Sequence, residues 1–140
     1  MSRWVLDASV LVKLFVDEIG SSDAAAALKP TDELMAPDLI WAEAGNVLWK
    51  YVRRGDLAAA DAEGILADML QMPIETASAR DLIERALAIA AETDRTVYDA
   101  LYLAMAVERR CRLLTADERL VNALAATRFA KHVRHVAKKR

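Results

Sequence analysis

Four carboxylates among the 21 acidic residues of this 140-residue chain stand where acids are not usually found. Asp99 is the only charged residue in the run 97–107, Val-Tyr-Asp-Ala-Leu-Tyr-Leu-Ala-Met-Ala-Val, which is apolar or aromatic on every face of a helix. Such a helix is expected to be buried, and a carboxylate in it is costly unless it is paired, hydrogen-bonded or bound to a metal. Asp7 directly follows Trp4-Val5-Leu6, and Asp117 follows Leu113-Leu114-Thr115-Ala116, so each closes a short β-forming run. Glu43 lies on the margin of the stripe Ile40, Ala44, Val47, Leu48 and Tyr51, with Asn46 one turn further along the same edge. Taken singly, each acid has an ordinary reading. Asp7 and Asp117 serve as helix caps or first-turn acids, Asp99 as a cap or an arginine partner, and Glu43 as a margin acid paired with Lys50.

Taken together they suggest a reaction. Four carboxylates meeting in one crevice cannot all stay ionised without cations between them. Hard divalent ions that prefer oxygen ligands, magnesium or manganese, supply that charge. Two such ions ~3.5–4 Å apart suit in-line attack of water on a phosphodiester. Ser9 and Thr115, each two residues from an acid, carry hydroxyls that can orient a carboxylate or a water, or simply cap and turn the chain. Other chemistries lack their parts. The lone Cys111 excludes a disulfide framework and reads as a small buried strand residue. His132 and His135 sit together near the end of the chain, and the four scattered glycines spell neither a dinucleotide fingerprint nor a P-loop.

The elements that must position these acids alternate. The pattern predicts strands over 4–6, 34–36, 74–76 and 111–114, and helices over 9–16, 23–28, 39–53, 58–71, 79–92, 97–109 and 119–125. Thr115 and Glu118 have capping-box spacing for the last helix. Such alternation is the mark of an α/β fold with a parallel sheet covered on both faces, whose ligand site lies beyond the carboxyl ends of the strands. No linker or repeat splits residues 1–140, so one domain is expected, with 126–140 as a basic C-terminal segment.

Composition narrows the class further. A net charge of -2, with 55% hydrophobic and 29% charged residues, fits a folded globular domain. No run approaches the ~20 apolar residues of a membrane span. An acid at Asp7 interrupts any leader-like start, so a cytoplasmic protein is expected. The segment from Arg128 to Arg140 holds six basic residues and no acid, which suits a solubilising tail or contact with a polyanion. Lys13, Arg53, Arg54, Arg109 and Arg110 are further candidates for holding phosphates. Trp41 and Trp49 suit either the core or a face for a partner.

The ordered set Val5-Leu6-Asp7-Ala8-Ser9, Ala42-Glu43-Ala44-Gly45-Asn46-Val47-Leu48, Tyr98-Asp99-Ala100-Leu101-Tyr102-Leu103-Ala104 and Leu113-Leu114-Thr115-Ala116-Asp117 resembles the PIN domains. In particular it resembles the small toxins of bacterial VapBC toxin–antitoxin modules, from about residue 3 to residue 124. The resemblance implies a three-layer α/β/α sandwich with a mainly parallel sheet. It implies a metal-dependent endoribonuclease acting on RNA with Mg2+ or Mn2+, and a homodimer silenced by a cognate VapB-like antitoxin. The metal-binding acids of the family carry over to Asp7, Glu43, Asp99 and Asp117, with Ser9, Asn46 and Thr115 as supporting polar residues. A haloacid-dehalogenase-type phosphatase would want a second Asp where Ser9 stands. A response-regulator receiver would want an acidic cluster where Asp7 is alone. The rival of another class is an inactive PIN-like fold used for binding or assembly.

Overall fold

The computed structural model describes residues 1–138. The chain runs β1 (Arg3–Leu6), α1 (Ala8–Lys13), α2 (Ser21–Ala27), β2 (Glu33–Pro37), α3 (Leu39–Arg53), α4 (Ala59–Met69) and β3 (Ile74–Ala77). It continues through α5 (Ala79–Thr93), α6 (Val97–Glu108), β4 (Arg112–Thr115), α7 (Glu118–Leu124), a 3-10 turn (Ala130–His132) and β5 (Val133–His135). The sheet order is β3-β2-β1-β4-β5 and every neighbouring pair is parallel. Winding proceeds outward from β1 through β2 to β3, then crosses back to β4 on the other side of β1. With right-handed crossovers, that reversal sends α5 and α6 to the face opposite α1–α4, which makes the three-layer α/β/α sandwich.

Local chemistry sets the ends of the helices. Ser78 caps α5 through its Oγ, which accepts from the Asp81 amide at 3.2 Å, and Thr96 caps α6 by accepting from the Asp99 amide at 3.1 Å. Helix α3 ends where Gly55 takes φ 79, letting Asp56 donate back to the Tyr51 carbonyl and Gly55 to that of Val52. The first predicted helix is shorter than its apolar pattern, stopping at Lys13.

Helix α6 is the central helix of the core. Seven consecutive residues, from Ala100 to Ala106, are buried, and the helix lies on β1, β2 and β4 beside α5. Leu103 and Met105 are fully enclosed, so truncating either to alanine costs about 2–5 kcal/mol. Burial does not reach every face of α6, because its first turn leaves Tyr98 63% exposed and Asp99 half-buried. Cys111 is also only half-buried and stands just ahead of β4, not within it; burial raises its thiol above the ordinary range.

The basic segment departs most from its expected role. Within residues 126–140, Val133–His135 joins the sheet as β5, with Leu113 opposite Val133 and Thr115 opposite His135. Arg134 is buried and donates to the Lys138 carbonyl at 2.6 Å. Arg128 forks onto Glu92 at 2.7 and 3.0 Å. Lys139 and Arg140 lie outside the described residues. Among the described residues no helix is long and apolar enough to cross a membrane.

Candidate active site

The strand order reverses at β1, so a crevice opens beyond the carboxyl ends of β1 and β4. Asp7 follows β1 and Asp117 lies just beyond β4, which puts both at that crevice. Glu43 reaches it from α3 on one face of the sheet, and Asp99 from α6 on the other. All four acids line one pocket of about 470 Å3, together with Ser9, Asn46, Lys50, Tyr98 and Tyr102.

Asp7 is the most constrained of the four. Its Oδ1 accepts from the Ser9 hydroxyl at 2.5 Å and from the Val10 amide at 3.2 Å, so it also caps α1. Its Oδ2 accepts from the Thr115 hydroxyl. Ser9 in turn accepts from the Ala116 amide at 3.1 Å, and Thr115 from the Asp117 amide at 3.0 Å. Two hydroxyls thereby stitch the turn after β1 to the turn after β4. Burial pushes the Asp7 carboxyl up to about 6, against the pull of the Ser9, Thr115 and Val10 hydrogen bonds, and the charge of Asp117 adds to the rise.

The other acids are held differently. Asp117, and not Thr115, caps α7: the helix begins at Glu118 and the Asp117 Oδ1 accepts from the Leu120 amide at 3.2 Å, while the Thr115 hydroxyl donates to Asp7 and accepts from the Asp117 amide. Glu43 pairs with neither Lys50 nor any other cation among the described residues. Instead the Tyr102 hydroxyl donates to its Oε1 at 2.5 Å. Burial, and then this bond, drive the Tyr102 hydroxyl far above its ordinary range, so it keeps its proton and serves Glu43 as a fixed donor. Asp99 pairs with Arg95 at 3.1 Å, one turn earlier. Asn46 is exposed on the pocket wall without a hydrogen bond to the acids.

Tyr102, Arg95, Lys50 and Tyr98 are the site residues that pattern reading did not single out. A tyrosine three positions after an acid in an apolar helix lies on the same face, which is the one available signal for Tyr102. Of the candidate phosphate-holding cations, Lys13 pairs with Glu18, Arg54 with Asp56 and Arg109 with Glu75, while Arg53 stacks over Trp49. Trp41 is half-buried; Trp49 is exposed beside a groove between α3 and α4.

The donor set suits a hard divalent cation, being all oxygen and all acidic, with one carboxyl already raised by burial and by a neighbouring charge. The four acids nevertheless share a pocket without crowding: among the described residues no three acids, histidines or cysteines stand close enough to enclose one ion. Three of them are instead engaged by partners of their own: Glu43 by Tyr102, Asp99 by Arg95, and Asp7 by Ser9 and Thr115.

A parallel sheet in the order 3-2-1-4-5, with acids gathered at its switch point, defines a class. The family model for the PIN domain matches residues 4–125, and the chain belongs to that family. Within it the chain stands with the VapC ribonucleases. Ribonuclease VapC3 of Pyrobaculum aerophilum is 35% identical over 126 residues, which cover 89% of this chain and 96% of that one. Among solved structures, PAE2754 from Pyrobaculum aerophilum has a TM-score of 0.67 at 26% identity, covering 96% of this chain and 84% of that one. A toxin–antitoxin complex from Klebsiella pneumoniae contains the same fold, with a TM-score of 0.62 at 19% identity over 96% of this chain and 98% of that one.

Proposed function

We propose that this chain is the toxin of a type II toxin–antitoxin module, a cytoplasmic endoribonuclease that hydrolyses RNA phosphodiester bonds with Mg2+ or Mn2+ held by Asp7, Glu43, Asp99 and Asp117. The observation that carries this reading is the meeting of those four acids, from four separate segments of a PIN domain, at one pocket. The divalent ion supplies the positive charge that a phosphodiester and its attacking water require when they enter a carboxylate pocket.

The protein supplies position. Ser9 and Thr115 fix both oxygens of Asp7, so its carboxylate cannot rotate away from the cleft. Tyr102 holds one oxygen of Glu43 and leaves the other for a ligand. Lys50, the one cation lining the pocket among the described residues, offers a phosphate a direct partner at its rim. Tyr98, exposed beside Asp99, presents a ring on which a flanking base can stack. The proposed protein partners are a cognate VapB-like antitoxin and a second copy of the chain. The α3–α4 groove beside Trp49 is apolar surface for one of them to cover.

The second reading is a catalytically inactive PIN-like binding module. It is favoured by the spacing of the acids and by the Arg95 that already neutralises Asp99. One assay separates the two. A mixed pool of structured and single-stranded RNA is incubated with antitoxin-free protein and Mg2+ or Mn2+, against EDTA and against Asp99→Asn. Cleavage that requires both the metal and Asp99 is expected. Cleavage unaffected by either, or none with any RNA in the pool, favours the binding module.

A further inference from the structure

A parallel sheet has two unlike ends, and the end away from the acid pocket gathers cations around β1, β4 and β5, with Asp32, Glu33 and Glu75 on its β2–β3 side. Residues 2–4, 110–112 and 131–132 lead into β1, β4 and β5, and together they line a cavity of about 620 Å3. Among the described residues its charged lining members are Arg3, Arg110, Arg112 and Lys131, with His132 beside them, and a neighbouring acid, Asp32, is spent on the Ser2 amide and the Trp4 indole. Arg3 is engaged by Glu33 at 3.1 Å. Arg110, Arg112 and Lys131 have no carboxylate partner among the described residues, in a protein whose net charge is -2. The Arg112 guanidinium is steered by stacking over the buried Trp4 ring, 5.1 Å from its centroid.

Backbone geometry at Arg110 is an independent observation. Helix α6 ends in the same motif as α3, with Cys111 donating to the Ala106 carbonyl and Arg110 to that of Val107. At α3 the left-handed position is filled by Gly55; at α6 it is filled by Arg110, at φ 54. A side chain with a Cβ is crowded in that left-handed conformation, and glycine is not. The arginine thus stands at a position that its backbone disfavours.

We propose that this cavity binds phosphate groups of an RNA backbone, as a contact remote from the acid pocket on the other edge of the sheet. The inference rests on the ribonuclease reading and deepens it by adding a second place where RNA is held. Planar guanidinium forks match phosphate oxygens in pairs. The wall also lacks the exposed aromatic and aliphatic anchors on which a protein interface depends, its tryptophan being buried, whereas nucleic-acid interfaces are polar and positive. Four-residue strands separate the two edges by roughly 13 Å. An RNA touching both must therefore wrap the edge of the domain, which a short oligonucleotide cannot do.

The test is fluorescence anisotropy of a labelled stem-loop RNA in EDTA, on the Asp7→Asn background, so that binding is read without cleavage. Arg110→Gly combined with Lys131→Gln removes two charges at a position suited to glycine and at an exposed side chain. Lys131→Gln alone is the second variant should the pair fold poorly, and Arg80→Gln on α5 is the control. The double variant is expected to make the salt slope shallower by roughly 1.5, equivalent to about 30-fold weaker binding at 0.1 M salt. Arg80→Gln is expected to leave both unchanged. With Asp7 intact, cleavage of an oligonucleotide too short to reach the far edge is expected to stay at the parent rate. An unchanged slope and affinity in the double variant overturns the proposal, whether or not the parent cleaves RNA. Displacement of the stem-loop by polyglutamate as readily as by unlabelled RNA also overturns it and reassigns the cavity to an acidic protein. Failure of the ribonuclease reading shows separately, as absent metal-dependent cleavage by the parent chain.

Discussion

Asp7 offers a test in which stability and activity move in opposite directions. Its carboxyl is raised from 3.8 to about 6 by burial, so the folded chain holds that proton to higher pH than the unfolded chain does. Folding is therefore favoured by this group at low pH, and the advantage is lost as pH rises from about 4 to about 6. Above that window an ionised Asp7 without metal costs about 3 kcal/mol, at 1.36 kcal/mol per pKa unit. Asn removes the charge but cannot satisfy both hydroxyls as the carboxylate does, which returns about 1–2 kcal/mol of that gain. Asp7→Asn is thus expected to be more stable than the parent by about 1–2 kcal/mol at pH 8 in EDTA, or roughly 3–7 °C in Tm. The two stabilities should cross near about pH 5, where the charge cost equals the hydrogen-bond loss, and the variant should be the less stable protein below it. Mg2+ is expected to raise the parent's Tm and to leave the variant nearly unmoved, while RNA cleavage is lost in the variant. The measurement is thermal unfolding by circular dichroism across pH 4–8, with and without Mg2+. A variant less stable than its parent at pH 8 in EDTA would refute the reasoning, because the buried charge would then be stabilised by its neighbours.

Tyr102→Phe removes the donor on Glu43; a 10–100-fold fall in kcat with little change in KM is expected from steady-state cleavage, with about 1–2 kcal/mol lost in urea unfolding. Asp99→Asn breaks a half-exposed ion pair with Arg95, so its stability cost is expected to stay within about 1 kcal/mol while cleavage disappears; a larger loss in the melt would make Asp99 a structural partner. Thr115→Val leaves Asp7 Oδ2 and the Asp117 amide without their shared hydroxyl, and about 2 kcal/mol of destabilisation is expected in chemical unfolding.

Much of the framework was legible because periodicity and turn chemistry agreed. The apolar stripe of α3 and the glycine after it gave both the helix and its stop, and strand-end acids located the crevice before any geometry was known. Other features depend on long-range contacts. β5 is three residues long with an arginine at its centre, and it reads as basic tail until Trp4 and the Lys138 carbonyl provide Arg134 with a buried place. Thr115 and Asp117 are both cap-forming residues by type; β4 runs through Thr115, whose hydroxyl is aimed at Asp7, 108 residues earlier, and the helix begins only at Glu118, which leaves the cap to Asp117. The apolar run around Asp99 predicted a buried helix and could not reveal that its first turn opens on the pocket. Tyr102 is indistinguishable from a core aromatic until Glu43 arrives from the other face of the sheet.

The hydroxyl bridge between Asp7 and Thr115 also sets a schedule. Its two ends are 108 residues apart, and β1 pairs with β4 across the same interval. A ribosome adding ~5–20 residues per second makes Asp7 roughly 5–20 s before the threonine that orients it. Strands β2 and β3 follow β1 in the meantime, so until β4 is made only the local Ser9 and Val10 bonds can hold the Asp7 carboxylate, through one of its oxygens. The second oxygen is anchored only when β4 docks. A chain cut short before β4 therefore never acquires the hydroxyl that fixes the second oxygen of Asp7.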